Sequence, residues 1–437
     1  MIRCGLTLGL VLLASIAYAQ TPTELAVVNG PLSISQAVDA ALKYSPAIAG
    51  RRALADAASA RLSSAKSMKQ VSTTLSGTLD NSNMQMILPG VEGLGPASGT
   101  LGPDRSRAGL TLMLMYPLST GGKLESMIRS SSANKVSSEL DIKSAQLDAA
   151  LAAKTAYRQA ALAYLMQDTA QRRVDESTER VRIAEDSYTQ GRIAKFDLLR
   201  NKAELSDASA KLNTAKRDIT VALIRLKSAM GISQDSSLEI SDSLSDTIPD
   251  LHSASLTEKA LIDRPDIQSA KKMVEGRKEM VKAAKAASSP QLYAIAMGQA
   301  ESVQGMPFDK GYLLGLTAAM PISDGGLRKS GVDEAVAMVK EAESGLAAME
   351  LEVRAEVASG IADVDTAAKN LILASDAINQ AEEDYKVIRL RYEAGKSTNV
   401  EVLDALAALT SARTMRAQAL FELNVAQDML LRTTGGK

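Results

Sequence analysis

The feature that most constrains this chain is a duplication at fixed spacing. Pro117-Leu118-Ser119-Thr120-Gly121-Gly122 returns as Pro321-Ile322-Ser323-Asp324-Gly325-Gly326, 204 residues on. The stretch from Tyr188 through Gly191 and Asp197 to Gly231 returns at the same spacing as Tyr392, Gly395, Glu401 and Gly435. Equal offsets leave no net length change between these landmarks, so each half repeats one structural unit. An earlier pair, Ser35-Gln36-Ala37-Val38 with Ser45-Pro46 against Thr257-Glu258-Lys259-Ala260 with Arg264-Pro265, is spaced by 219. The first half is therefore 15 residues longer before its Pro-x-x-x-Gly-Gly motif, where Leu88 to Pro103 is crowded with Gly and Pro and reads as a loop. Residues 20–231 are expected to form the first repeat and 256–437 the second. The linker over 232–255 is polar, rich in Ser and Asp, and contains Pro249.

Ahead of the first repeat, Arg3 precedes an apolar run from Leu6 to Ile16, and Ala17-Tyr18-Ala19 fits a cleavage site before Gln20. Residues 1–19 are expected to be a signal peptide, because the run is shorter than the about 20 residues of a membrane helix. Cys4, the only cysteine, lies before that run, so the mature chain would lack disulfides and a lipidated cysteine.

Each half opens on a helix, with Ser33 or Ser35 as the N-cap in the first and Ser255 or Thr257 in the second, and Pro46 and Pro265 interrupt these helices. Proline is absent from Leu118 to Ile248 and from Ile322 to Lys437, and Lys123 to Gln190 lacks glycine as well. At about 1.5 Å per residue such a stretch makes a helix of roughly 100 Å, longer than the core of any compact domain. Leu198, Leu205, Leu212, Ile219 and Leu226 then recur every seven residues, each large residue but the first followed three positions on by Ala208, Ala215, Ala222 or Ala229. This is a large/small coiled-coil seam. Val402, Leu409, Leu423 and Leu430 repeat it beside Ala405, Ala412, Ala419 and Ala426, with Arg416 breaking the large row. Composition agrees: hydrophobic residues make up 46% but aromatics only 3%, with no Trp, so bulk comes from side chains that let helices approach closely.

Between the helices the period changes to two. Leu110, Leu112, Leu114 and Tyr116 share one face of a strand over 108–116, and Leu314, Leu316, Ala318 and Met320 follow at the repeat spacing. Segments 71–79 and 291–298 are strand candidates of weaker alternation. Two strands per half make four per chain, near the length a membrane strand needs. Four strands cannot close a barrel, and lipid tolerates no open sheet edge, so insertion would require several chains to share one barrel. A small soluble sheet packed on helices is the alternative that the strands alone leave open.

No catalytic, cofactor or metal site is expected. His252 is the only histidine and sits in the linker, and no glycine-rich phosphate loop joins a strand to a helix. Lys and Arg number 50 against 51 Asp and Glu, which offers no nucleic-acid footprint. Met84 and Met86 in a loop and Met113 and Met115 on the inward face of a strand are of a type that suits Cu(I), but gap-filling is the expected role. Glu176, Glu179, Arg180 and Arg182 read as a solvated helix face. The region after each Tyr-x-x-Gly differs: Glu401 and Asp404 are three apart on one helix face, and a ring of them from symmetric subunits would favour cations. Capping of the helix after the glycine turn accounts for the same spacing.

The paired Pro-x-x-x-Gly-Gly motifs, together with Tyr392-Glu393-Ala394-Gly395-Lys396-Ser397-Thr398-Asn399-Val400-Glu401-Val402-Leu403-Asp404-Ala405 and its first-half counterpart, resemble the TolC-like outer-membrane efflux proteins across residues 31–435. The resemblance implies a mainly helical fold with a transmembrane β-hairpin pair, a homotrimer forming a twelve-stranded barrel in outer-membrane lipid, and a coiled-coil helical tunnel through the periplasm. It implies a passive, non-enzymatic exit duct for an efflux or type I secretion system, joined to an inner-membrane pump by a periplasmic adaptor. Glu401 and Asp404 fall where the family places acidic residues at the periplasmic constriction, and Asp197 and Tyr392 match positions of its gate latch. Where the best-known member completes the latch with arginine, this chain has Ser397, so the closed state would rest on helix packing or on Lys396. Leu110, Leu112, Leu114, Tyr116, Leu314 and Leu316 would face lipid. The competing function is a structural or adhesive periplasmic coiled-coil rod.

Overall fold

The computed structural model describes residues 25–82, 105–248, 253–303, 307 and 309–436. The expected signal peptide, the loop with Met84 and Met86, and His252 lie outside the described residues. Two helices dominate the chain: α3 (Lys123–Thr189) and α7 (Leu327–Glu393), each of 67 residues. Both start after a glycine in the left-handed region, Gly122 at φ 90° and Gly326 at φ 97°. Both stop at another, Gly191 at φ 70° and Gly395 at φ 71°. There the N–H of the glycine bonds to the carbonyl of Tyr188 or Tyr392 three residues back, and the next N–H reaches Ser187 or Arg391, so the last carbonyls are satisfied as the chain reverses. The chain then returns as α4 (Lys195–Met230) and α8 (Asn399–Thr433).

The shorter helices α1 (Ile34–Tyr44) and α2 (Pro46–Ser67), and α5 (Ser253–Asp263) and α6 (Pro265–Ala286), precede each long hairpin. Ser33 caps α1 in a reciprocal box with Gln36, as one of the two expected serines. Ser255 and Thr257 are not caps: α5 already begins at Ser253, so both lie inside its first turns. Pro46 and Pro265 open α2 and α6 at a position where their missing N–H costs nothing, after an extended Ser45 and Arg264. Along α3, α2 and α4 lie end to end. Gly231 closes α4 at φ 71°, where a Cβ would come within 2.7 Å of the Tyr44 carbonyl oxygen, so this junction admits only glycine. Along α7, α6 and α8 repeat the arrangement, with Gly435 against Asp263 and Arg264.

The expected seams pack. Ala208, Leu212, Ala215, Ala222 and Leu226 are buried on α4, and Val402, Ala405, Leu409, Ala412, Ala419, Leu423 and Leu430 on α8. Midway along α3, fully buried Tyr157 donates its hydroxyl to the Leu32 carbonyl and accepts from the Asp242 N–H, each at 2.9 Å. It thereby fastens a parallel pair, β1 (Gly30–Leu32) and β4 (Leu238–Ile240), to the helices. The linker between repeats therefore contains a strand, which its polarity had concealed. Arg264, in the second half, is buried between Asp266 and Glu356.

At the far end of α3 and α7, β2 (Ser72–Ser82), β3 (Arg105–Ser119), β5 (Gln291–Val303) and β6 (Asp309–Ala319) form an antiparallel sheet in the order β2-β3-β5-β6. Directly opposed residues share a face, so the register sorts every position. Leu75, Leu112, Gly298 and Tyr312 fall on one side, as do Thr73, Leu114, Ala296 and Leu314, and Tyr116, Ala294 and Leu316. The other side carries Ser72, Thr74, Ser76 and Thr78 on β2, Thr111, Met113 and Met115 on β3, and Gln299 and Met297 on β5. One face is hydrocarbon and the other mostly polar, the alternation of a membrane barrel wall. No helix among the described residues is long and apolar enough to cross a membrane.

Candidate functional site

The two turns at 190–194 and 394–398 end the long hairpins at the pole opposite the sheet. At the second, Thr398 caps α8: its hydroxyl accepts from the Glu401 N–H at 3.3 Å, and the Glu401 carboxylate accepts from the Thr398 N–H at 3.1 Å. Ser397 donates its hydroxyl to the same carboxylate. These two bonds, the Ser397 hydroxyl first, hold the Glu401 carboxyl below its usual pKa although the residue is exposed. Asp404 is exposed one turn further, on the same face. Ser397 thus acts within its own turn, and the Lys396 ammonium forms no ion pair among the described residues.

Asp197 lies in the first turn of α4, its carbonyl accepting from Asn201 at 2.9 Å. Tyr392 is half-buried near it: burial raises the phenol's pKa, Arg180 opposes the shift, and Asp197 adds to it. No hydrogen bond joins Tyr392 to Asp197, so these two are brought close but not latched.

Beside these turns, a buried tie between the hairpins is made by Arg180, one of the four charged residues expected on a solvated face. Glu179 and Arg182 do pair on an exposed face, at 2.6 Å. Arg180 instead turns inward from α3, and its Nη2 donates to Asn201 Oδ1 on α4 and to Asn399 Oδ1 at the start of α8, both at 2.9 Å. Asn201 Nδ2 also donates to Asn399 Oδ1, at 3.3 Å. Both amides are buried, at 3% and 7% exposure. Desolvation lowers the guanidinium's pKa, countered by the surrounding phenols and carboxylates. Glu176 is half-buried too, paired with Arg413 of α8 at 3.2 Å. The cause is helical phase: Arg180 stands three residues after buried Ser177 and four before buried Ala184, on the stripe facing the bundle. That spacing was the available signal.

Around this cluster lies a cavity of about 220 Å³, lined by Arg180, Asn201, Tyr385, Tyr392, Asn399 and Val402 among others. Arg180 Nη1, Asn399 Nδ2 and Glu176 Oε2 are buried there without a hydrogen-bond partner. Buried groups left unsatisfied in this way cost stability.

Of the residues expected to face lipid, all six lie on the hydrocarbon side of the sheet. Leu110, Leu112, Tyr116, Leu314 and Leu316 are 42–74% exposed and Leu114 is half-buried.

An apolar-faced, edge-open sheet continued by two helical hairpins of about 100 Å defines the class: a subunit of a membrane-spanning duct. The chain belongs to the Outer membrane efflux protein family, which it matches over residues 37–232 and 256–436. Membership makes it a non-enzymatic outer-membrane channel protein that reaches into the periplasm, and implies a trimer. The nickel-cobalt-cadmium resistance protein NccC of Alcaligenes xylosoxydans xylosoxydans is 27% identical over 274 residues, 62% of this chain and 60% of that protein. The match therefore spans about three fifths of that relative's length. Among solved structures, the outer membrane protein VceC of Vibrio cholerae superposes with TM-score 0.78 at 19% identity, covering 92% of this chain and 96% of its own. CusC superposes with TM-score 0.81 at 15% identity, covering 96% of each chain.

Proposed function

We propose that three copies of this chain form a passive efflux duct, β6 of each pairing with β2 of the next to close a twelve-stranded barrel. The observation that carries this is the continuous hydrocarbon face across four strands whose outer edges have no partner within the sheet. An exposed edge cannot stay unpaired in lipid. A rod-like adhesive protein has no use for such a face. A periplasmic adaptor and an inner-membrane pump would deliver passengers and energy. Glu401 and Asp404 would ring the periplasmic mouth and favour cations, and the likeness to a nickel-cobalt-cadmium resistance protein supports metal cations among the passengers.

The closed mouth would be held by Arg180, which must release Asn399 if the α7–α8 hairpin swings from α3–α4. The duct itself is tested by Leu112→Asp and Leu316→Asp, each placing an unpaired charge on the hydrocarbon face, where charged substitutions destabilise a membrane barrel. Both variants are expected to lose assembly into outer membranes. Wild-type yields of membrane-inserted trimer would overturn the lipid-facing assignment.

A further inference from the structure

The polar face of the sheet carries a cluster that conduction does not require. Met113 and Met297 oppose each other directly across β3 and β5, and Met115, two residues along, is diagonal to Met297. Opposed side chains on an antiparallel pair have Cβ atoms about 4.5–5.5 Å apart, and diagonal neighbours at about 7–8 Å remain within reach of long side chains. Three flexible thioethers thus project from one patch, on the side away from Leu110, Leu112 and Leu114, with Ile295 opposite Met115 and Leu313 opposite Met297.

Gap-filling, the ordinary use of methionine, buries the side chain. Met113 and Met115 are 38% and 36% exposed. Met115 also lines a cavity of about 280 Å³ at the foot of the sheet, and Met68 and Met127 line it too. A second thioether trio therefore shares Met115 with the first. Thioethers are neutral, soft ligands that take Cu(I)-type ions and ignore hard cations such as Mg²⁺. Stronger soft ligands are scarce in this chain, with one His and one Cys. Neutral, solvent-facing ligands also suit transit, which needs binding firm enough to admit an ion and weak enough to release it.

We infer that Met113, Met115 and Met297 form a contact site for a soft monovalent cation, of the Cu(I) or Ag(I) kind, on the inner wall of the barrel, with Met68 and Met127 extending it toward the helices. The location on the inner wall rests on the duct proposal, whereas the ligation itself does not.

The test is a titration of the purified full-length protein, labelled with ¹³C at the methionine methyls, with silver nitrate in chloride-free buffer. The methyls of Met113, Met115 and Met297 should shift first while buried Met230 stays fixed. The variant Met113→Leu/Met115→Leu/Met297→Leu, which keeps the apolar volume, should lose most silver uptake by equilibrium dialysis and retain its bilayer conductance. Unshifted methyls at these three positions, or equal silver uptake by the leucine variant, would overturn the site. Failure of the duct proposal would show separately, as a monomeric particle or as a trimer that passes no current even with Arg180 replaced by methionine.

Discussion

Replacing Arg180 by methionine keeps the side chain's length and apolar stem while removing both bonds from Nη2. The bond to Asn201 joins the two helices of one hairpin and survives a swing of α7–α8, but the bond to Asn399 crosses to α8 and does not. A hydrogen bond to a charged group contributes about 1.5–3 kcal/mol. Its loss from the closed state alone should raise the open-to-closed ratio roughly 10- to 150-fold per protomer. Asn399→Asp is the complementary perturbation: it preserves shape, offers Arg180 a carboxylate, and should lower the ratio. The assay is single-channel recording in planar bilayers, with trimer recovery and thermal unfolding as controls for assembly. Arg180→Met should lengthen open dwell times and Asn399→Asp shorten them, both in intact trimers. Unchanged gating in both, or a shift in the same direction, would refute the tie.

Neutralising the mouth with Glu401→Gln and Asp404→Asn is expected to reduce cation selectivity, read as a reversal potential moving toward zero in a salt gradient. Because its bonds to Ser397 and Thr398 depress the Glu401 pKa, the carboxylate stays charged above the lowered value and is lost only as pH falls through it. Ser397→Ala should therefore move the acid loss of selectivity to higher pH, measured by reversal potentials across an acid titration. Tyr157→Phe removes one hydroxyl that serves the Leu32 carbonyl and the Asp242 N–H. The Leu32 carbonyl keeps the Ser241 N–H, but the Asp242 N–H is left unpaired, so the loss should be about 1–3 kcal/mol in denaturant unfolding, with gating unchanged.

Periodicity made most of this fold legible. A Pro-free and Gly-free run from Lys123 announced α3 to within a residue, and the equal spacing of the two halves carried that to α7, whose glycines at 331, 345 and 360 would otherwise have obscured it. Strand faces were legible where leucines alternate, as from Leu110 to Tyr116, but not on β2 or β5. Those needed the register, because Thr73 and Gly77 on the hydrocarbon side carry no hydrophobic signal of their own. β4 escaped notice for a similar reason: it is three residues long and is held by a partner over two hundred positions away. At the turn end of the long hairpins, Glu401 and Asp404 stand out by sequence spacing, whereas Arg180 was hidden in a charged stretch. Its burial depends on Asn201 and Asn399, which lie on two other helices and become its neighbours only through folding.

The proposed duct depends on three chains completing what one begins. The most direct measurement is the native mass of the detergent-extracted protein together with its conductance in a planar bilayer. The account predicts particles of three chains that give discrete, cation-selective current steps. A monomeric particle, or a trimer that passes no current even with Arg180 replaced by methionine, would contradict it.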